Sequence, residues 1–340
     1  MTLSAEGSRA GRPVVWGLLS TARINDLILH AAEGSDKLEI RAVASRSREK
    51  AERYAAAKGI PKGYGSYEEL LADSEIEVVY ISLPNALHID WTIQALRSGK
   101  HVLCEKPLSP RPQEVENAFA ESVQNERLLM EGYMFRHHPQ LGRINELLEA
   151  GTIGELRMIR ASFSFPADPV ADAHLLAGPD GGSLLDVGCY CVSLSRFLAG
   201  EPESVYAEQI EVAGVDRRFA ATLRCQNGLI SQFDSALDLP QRETLELVGE
   251  RGTITLSDPW AQGKEARITI TGDNGSDHIS LGRIDAYRLE IDNFADATRG
   301  ASKPYLTADD AIGNARTLQA LLRAAADRRP VTMESGASLS

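Results

Sequence analysis

The sequence has few features of a secreted or membrane-embedded protein. Its 340 residues include only four cysteines, too few for the disulfide framework that small secreted domains use. The first apolar run, 14–19, is far shorter than the stretch of about 20 residues that crosses a bilayer. Residues 1–12 lack the pattern of a signal peptide. We therefore expect a cytoplasmic protein with reduced thiols and no membrane partner.

Basic residues and metal-binding spacings are also scarce. The chain has 36 lysines and arginines against 48 aspartates and glutamates, and its formal net charge is -12. This balance argues against a nucleic-acid partner, because phosphates are neutralised by basic side chains. The seven histidines and four cysteines form no H-E-x-x-H or C-x-x-C spacing, so we predict no metal site. The composition favours small-molecule chemistry.

Short apolar runs alternate with helical segments over residues 13–136. The runs of strand length are Val14–Leu19, Leu38–Ala44, Val78–Leu83 and His101–Cys104. Strands separated by helices of this length imply right-handed crossovers and a parallel sheet. We predict an α/β fold in which residues 13–136 form a Rossmann-like, doubly wound, nucleotide-binding domain.

The pattern changes over residues 137–330. A helix is predicted at Gly182–Leu198, and helices at Asp285–Thr298 and Ala308–Ala326 close the chain; the last could pack back on the first domain. The strand-like segments are Leu156–Phe165, Val205–Val212, Phe219–Cys225, Leu229–Ser235, Arg242–Val248, Thr253–Leu256 and Ala266–Thr271. Their hairpin-like spacing predicts an α+β domain for substrate binding and oligomerisation, with a large, mostly antiparallel open sheet.

The predicted open sheet raises the question of what covers its second face. One helix, Gly182–Leu198, can cover only one face, so the other face is either solvated or paired with a second sheet. Pairing would give a homodimer or a homotetramer, and closed symmetric oligomers are common. We expect an oligomer, with a polar solvated face as the alternative.

The first strand-to-helix turn lacks the glycines of the dinucleotide fingerprint. At the spacing G-x-G-x-x-G the chain has Ser20, Ala22 and Asn25. The small residues still permit close approach, and amides at the start of a helix can receive a pyrophosphate. A plain tight turn is the alternative. The predicted cofactor-binding residues of this turn are Ser20, Thr21, Ala22, Arg23 and Ile24.

The second predicted strand is not followed by the acidic residue that would bind the ribose of NAD. The chain continues with Ser45 and Arg46 instead. A guanidinium can bond a 2′-phosphate through two N–H groups and stack on the adenine, and the serine adds a hydroxyl. Arg48 either assists or is a solvated helix residue. We predict NADP(H) as the cofactor, with NAD(H) as the less favoured alternative.

Two segments carry residues suited to acid–base chemistry. Glu105 and Lys106 follow the apolar strand 101–104, and the carboxyl end of a parallel strand is where open α/β sheets keep their ligands. Asp186 and Tyr190 are spaced i, i+4, which a helix places on one face. A lysine, an aspartate and a tyrosine over a cofactor suit hydride transfer with movement of a proton.

Five motifs in order resemble the Gfo/Idh/MocA oxidoreductase family from Val14 to about Ala326. They are Ser45-Arg46, Leu83-Pro84-Asn85-x-x-His88, Glu105-Lys106-Pro107, the segment Glu131–Pro139 and the segment Gly181–Tyr190. Tyr190 followed by Cys191-Val192 is most similar to the branch that contains NADP-dependent D-xylose 1-dehydrogenase and dimeric dihydrodiol dehydrogenase.

The resemblance implies a role for several residues. Lys106 corresponds to the lysine beside the nicotinamide, Tyr190 to the residue that transfers the proton, and Asp186 to an acid that lines the substrate pocket. Leu83, Pro84, Asn85 and His88 match the strand-end loop near the nicotinamide ribose. Ser183 departs from the branch, which usually has a glycine there.

Two further residues, Arg136 and His174, are weaker candidates for the substrate site. Arg136 either contacts substrate or braces the domain junction. His174 lies in a loop that lacks the arginine often found there in the branch. The sequence assigns no role to His137 or His138.

The implied activity is that of an NADP-dependent dehydrogenase acting on CH–OH groups. D-xylose 1-dehydrogenase is the best named case, and a trans-dihydrodiol dehydrogenase or a sugar ketoreductase is the alternative within this chemistry. A non-catalytic NADP-sensing regulator is the alternative of another class. The substrate, the carbon oxidised and the direction of the reaction are left open.

Overall fold

The computed structural model describes residues 12–172, 175, 176, 178, 180–261, 263–273 and 275–333. Its internal contacts divide these residues into two compact units. The first unit consists of 12–105, 117–132 and 287–307, and the second of 106–116, 133–286 and 308–333. The division into functional domains at residue 136 stays a prediction.

Helices and strands are formed throughout the described residues. The helices are α1 Asn25–Glu33, α2 Arg48–Lys58, α3 Tyr67–Ala72, α4 His88–Arg97, α5 Pro112–Gln124, α6 Pro139–Glu149, α7 Cys189–Ala199, α8 Ala286–Thr298 and α9 Ala308–Asp327. The strands of the first unit are β1 Val14–Leu19, β2 Leu38–Ala44, β3 Lys62–Tyr64, β4 Val78–Ile81, β5 His101–Glu105 and β6 Leu129–Gly132. The strands of the second unit are β7 Leu156–Ser164, β8 Ser204–Val212, β9 Val215–Arg224, β10 Ile230–Ala236, β11 Arg242–Gly249, β12 Gly252–Leu256, β13 Ala266–Gly272, β14 Gly275–Gly282 and β15 Val331–Thr332.

The first unit contains a six-stranded parallel sheet with the order β3-β2-β1-β4-β5-β6. Every residue of β1 and β4 is buried, as expected for parallel strands with helices on both faces. The strand order reverses between β1 and β4, and ligands of such sheets bind at the carboxyl ends of the strands beside this switch point. The predicted Rossmann-like fold is confirmed.

Local capping explains where two helices of this unit begin. The Ser47 hydroxyl accepts a hydrogen bond from the Lys50 amide at the start of α2, and the Ser66 hydroxyl does the same for Glu69 at the start of α3. Helix α2 ends at Gly59, whose φ of 68° suits glycine. These caps fix the segment that follows β2.

The second unit contains a nine-stranded sheet with the order β14-β13-β12-β11-β7-β10-β9-β8-β15. Neighbouring strands are antiparallel except for β7 and β10, which are parallel. The predicted large, mostly antiparallel sheet is confirmed. Strand β14 was not predicted, because its residues are polar and mostly exposed, so they give no signal of burial.

The two faces of this sheet differ in polarity. Helices α7 and α9 lie on one face, and α9 packs against β8, so the expectation of a single covering helix was wrong. The other face carries a row of side chains in register across five strands. These are Tyr206, Thr222, Gln232, Arg160 and Glu246.

The described residues contain neither a candidate membrane-spanning helix nor a candidate metal-binding cluster. No helix among them is both long and apolar enough to cross a membrane. Within the same residues no group of three or more histidine, cysteine, aspartate or glutamate side chains could hold a metal ion.

Candidate active site

A buried hydrogen-bond network shapes the first turn of the Rossmann sheet. The hydroxyls of Ser20, after β1, and Ser82, after β4, lie 2.7 Å apart. Ser82 Oγ donates to Asn25 Oδ1 at 2.7 Å, and Asn25 Nδ2 donates to the Ser20 carbonyl at 2.8 Å. The Ala22 amide also donates to Ser20 Oγ. Polar side chains therefore fix this turn in place of the missing glycines, and they tie β1 to β4 at the switch point.

Arg46 and Arg48, which follow β2, differ in their surroundings. Arg48 donates to both oxygens of Glu69, at 2.8 and 2.6 Å, whereas Arg46 is exposed and has no ion-pair partner among the residues that the structure describes. Ser45 is buried and accepts a hydrogen bond from the Ser47 amide. Arg46 is therefore the guanidinium available to an anionic ligand at this strand end.

The loop after β4 is braced from inside the unit. His88 is fully buried, and its Nε2 lies 2.8 Å from the Leu83 carbonyl. The histidine therefore fixes the segment that contains Pro84 and Asn85, and it supports the loop rather than facing outward from it.

Glu105 is held at the end of β5 by a neighbouring strand. Tyr80 of β4 donates its hydroxyl to Glu105 Oε1. Glu290 of α8 is 1% exposed, and burial followed by the charge of Glu105 raises its pKa well above the ordinary value. Burial and the charge of Glu105 thus both favour the protonated form of Glu290.

The second unit brings Lys106, Asp186 and Tyr190 together. Lys106 Nζ donates to the Asp186 carbonyl at 2.6 Å and lies 3.1 Å from Asp186 Oδ1. The same nitrogen lies 5.0 Å from the centre of the Tyr190 ring, within the range of a cation–π interaction. The two charged side chains are 13% and 16% exposed, so the pair is largely shielded from solvent.

The helix predicted at Gly182–Leu198 begins at Ser183, and its first part is π-helical rather than α-helical. Leu184–Gly188 form a π-turn, and α7 begins only at Cys189. Gly182 has a φ of 104°, which no helix contains. A π-turn interrupts the regular ladder of backbone hydrogen bonds and occurs often at functional sites. Here the Asp186 carbonyl accepts a bond from a side chain, that of Lys106.

Tyr190 lies in a cluster of aromatic rings. Its ring centre is between 5.3 and 5.9 Å from those of four others, and its hydroxyl donates to Met134 Sδ at 3.7 Å. The four are Tyr133, Phe135, Phe163 and Trp260. The cluster restricts the phenol to one orientation. Sequence reasoning missed Phe163 and Trp260, because Phe163 comes from β7 and Trp260 from the turn after β12, both far from Tyr190 in the sequence.

The remaining predicted residues lie in structural positions or outside the described residues. Arg136 is 5% exposed, donates to Ser193 Oγ and packs 4.4 Å from the Phe197 ring, so it braces α7. His138 Nδ1 accepts from the Gln140 amide at the start of α6. Burial, with a smaller effect of Arg136, lowers the pKa of His137 to about 3. His174 lies outside the described residues.

Family models match both parts of the chain. Residues 17–133 match the oxidoreductase family with an NAD-binding Rossmann fold, and residues 142–255 match the Gfo/Idh/MocA C-terminal domain. The NADP(+)-dependent D-xylose 1-dehydrogenase 2 of Haloferax volcanii is 34% identical over 321 residues, which is 92% of this chain and 97% of the relative. The chain belongs to the Gfo/Idh/MocA oxidoreductase family. The predicted resemblance is confirmed.

Other members of the family are similar over most of their length. A trans-1,2-dihydrobenzene-1,2-diol dehydrogenase of Xenopus laevis is 33% identical over 81% of this chain and 87% of the relative. The crystal structure of KijD10, a 3-ketoreductase of Actinomadura kijaniata in complex with NADP and TDP-benzene, has a TM-score of 0.87 and 30% identity. It covers 92% of this chain and 98% of the KijD10 chain. Structures of KijD10 variants with a replaced lysine or tyrosine are similar too.

Proposed function

We propose that this chain is an NADP-dependent oxidoreductase that transfers a hydride between nicotinamide and a hydroxyl or carbonyl carbon of a sugar or polyol. The observation that carries the proposal is the arrangement of Lys106, Asp186 and Tyr190, in which a shielded ammonium lies beside a carboxylate and over a phenol ring. A D-xylose 1-dehydrogenase-like reaction is the best named case, since that relative covers nearly the whole chain.

The first unit fits a dinucleotide. The polar network of Ser20 and Ser82 lies at the switch point, where the carboxyl ends of the strands receive ligands. The start of α1 would face the pyrophosphate, and Arg46 would bond the 2′-phosphate. We assign cofactor binding to Ser20, Thr21, Ala22, Arg23, Ile24, Ser45, Arg46, Leu83, Pro84, Asn85, Glu105 and Lys106, with His88 acting through the loop that it supports.

The acid–base part of the reaction falls to the second unit. Bound NADP(H) would supply or accept the hydride. Lys106, whose ammonium is held by Asp186, would stabilise negative charge on the substrate oxygen. A cation beside a phenol favours its ionised form, so Tyr190 would take the proton from a substrate hydroxyl or return it to a carbonyl oxygen. Asp186 would orient Lys106 and line the substrate pocket.

A substrate screen tests the proposal. Sugars, sugar acids and trans-dihydrodiols would be offered with NADP, and keto-sugars with NADPH, while the absorbance of the reduced cofactor is followed. Turnover of D-xylose or another aldose supports the leading assignment, and selective turnover of a dihydrodiol or a keto-sugar supports one of the alternatives. Tight NADPH binding without turnover of any of these compounds would favour the non-catalytic regulator instead.

A second prediction concerns the cofactor. Arg46→Ala should raise the KM for NADP about tenfold or more, because a charged hydrogen bond to the 2′-phosphate contributes about 1.5 to 3 kcal/mol. Arg48→Ala is the matched control, since Arg48 is engaged by Glu69, and it should change this KM little. Equal kcat/KM values for NAD and NADP in the unmodified protein would contradict the preference for NADP.

A third prediction concerns assembly. We propose that the exposed face of the nine-stranded sheet pairs with a second copy, because Arg160 and Glu246 lie side by side in register there, and Tyr206 on the same row is 37% exposed. Light scattering should give two or four times the chain mass of 36.9 kDa.

Two variants that change the net charge by the same amount test where the interface lies. Gln232→Arg places a cation in the middle of the exposed row and should shift the mass toward the monomer. Glu68→Gln, on the exposed surface of α3, should leave the mass unchanged. A single-chain mass for the unmodified protein at micromolar concentration would contradict the assembly.

A further inference from the structure

Asp216, near the start of β9, is bonded to the segment that precedes the candidate catalytic residues. Its side chain is buried, and the residue is 5% exposed. One oxygen, Oδ2, accepts from Ser183 Oγ at 2.6 Å and from the Leu184 amide at 2.8 Å. Leu184 is the first residue of the π-turn, so the carboxylate binds this turn at its origin.

The surroundings of Asp216 make the contact specific. A Cβ atom on Gly182 would overlap Asp216 Oδ1, and the φ of Gly182 lies in the left-handed region, so only glycine fits there. Ser183 Oγ also lies 3.1 Å from Ser235 Oγ of β10. The turn is thus fixed against two strands.

An ion pair holds the start of the same segment. Arg111 donates to both oxygens of Asp180, at 2.8 and 2.9 Å, and such two-point pairs fix orientation as well as distance. Arg111 lies five residues after Lys106 in the sequence. The segment from Asp180 to Leu184 is therefore anchored at both ends, by Arg111 and by Asp216.

We propose that Asp216 is a positioning residue that fixes the π-turn, so that the carbonyl and carboxylate of Asp186 meet the Lys106 ammonium. Asp216 acts through the Leu184 amide, two residues before Asp186, and touches no reacting atom. This inference rests on the proposed function, because a displaced Asp186 matters for turnover only if Lys106 takes part in the reaction.

The chain supplies a matched control for loss of a buried polar contact. Ser195 of α7 and Ser231 of β10 form a buried hydroxyl pair at 2.7 Å. This pair contacts the same strand as Ser183 does through Ser235, but it lies beyond the π-turn. Ser195→Ala should therefore lower the melting temperature without changing kcat.

The test compares four variants by kcat, NADPH affinity and amide hydrogen exchange of a peptide that spans residues 183–190. Asp216→Ala should lower kcat about tenfold or more, since small misplacements of reacting groups are costly, with unchanged NADPH affinity and faster exchange. Asp216→Asn keeps an oxygen that can accept these hydrogen bonds, so it should recover most of the kcat and most of the slow exchange of the unmodified protein. Ser183→Ala should lie between them, and Ser195→Ala should change neither.

The possible failures are distinguishable. If the unmodified protein turns over no substrate, the proposed function fails, and exchange alone decides whether Asp216 fixes the turn. Exchange that is unchanged in Asp216→Ala overturns the inference. A folded Asp216→Ala variant with undiminished kcat, or a Ser195→Ala variant with an equal loss of kcat, overturns it as well.

Discussion

Replacement of Lys106 by alanine should lower kcat by about 10² to 10⁴, and Tyr190→Phe should cause a loss in the same range, the usual contribution of general acid–base catalysis. Lys106 Nζ is held by Asp186 and lies 5.0 Å from the Tyr190 ring centre. Its removal takes away the cation that stabilises charge on the substrate oxygen and on the phenol. Steady-state kinetics with the best substrate of the screen measure both losses.

The double variant tests whether the two residues act as a unit. It should lose little more than the worse single variant, because residues that cooperate in one step have non-additive effects. NADPH binding should survive in Tyr190→Phe, since the phenol is assigned to the substrate. Losses that multiply in the double variant would indicate two independent roles.

Tyr133→Phe is the control for the aromatic cluster. Tyr133 is fully buried, and its ring centre lies 5.7 Å from that of Tyr190, so both substitutions remove one hydroxyl from the same cluster. Only the loss at Tyr190 should abolish most turnover. The proton-transfer assignment would be wrong if Tyr190→Phe kept most of its activity while Tyr133→Phe lost it.

The sequence predicts the central strands of the first unit well, because each is buried along its whole length. Strands β1 and β4 consist only of buried residues, and a continuous apolar run is the mark of a parallel strand between two layers of helices. Strand β14 has no such mark, since it is mostly exposed. Its place in the sheet depends on pairing with β13, which one sequence does not reveal.

The sequence predicted which residue types form the candidate site, but it did not predict the backbone conformation and contacts that arrange them. The i, i+4 spacing of Asp186 and Tyr190 pointed to one face of a regular helix, but Asp186 lies in the π-turn and Tyr190 in α7. Lys106 is bonded to the backbone carbonyl of Asp186 as well as to its carboxylate. Any residue can offer its backbone carbonyl as an acceptor, so the sequence does not reveal such a hydrogen bond. The support from Asp216 was likewise missed, because it joins residues 32 and 33 positions apart.

A buried carboxylate at Asp216 has a cost that depends on pH. Burial raises the pKa of Asp216 from 3.8 to about 6, even though hydrogen bonds from Ser183 and Leu184 act in the opposite direction. Between these two values the folded protein binds more protons than the unfolded chain, so this residue's contribution to stability falls as the pH rises. The shift of about two pKa units corresponds to a contribution of about 3 kcal/mol to the free energy of unfolding. This contribution is present at low pH and is fully lost above the pKa of the folded state.

Asp216→Asn should therefore become more stable relative to the unmodified protein as the pH rises. Asparagine cannot ionise, and it retains an oxygen that can accept from Ser183 and Leu184. The difference in free energy of unfolding should grow by about 2 kcal/mol between about pH 4.5 and about pH 7.5, measured by urea unfolding at each pH. Asp273→Asn, at an exposed position, should show no such change.

A stable Asp216→Asn variant would also separate the effect of Asp216 on protein stability from its role in positioning the π-turn. At neutral pH the ionised carboxylate opposes folding, yet its Oδ2 is the acceptor that fixes the origin of the π-turn. Destabilised groups that persist in a folded protein are common where they support a functional site. If the difference in free energy of unfolding between Asp216→Asn and the unmodified protein did not change with pH, ionisation of Asp216 would not destabilise the folded protein. The expected pH dependence would then be wrong.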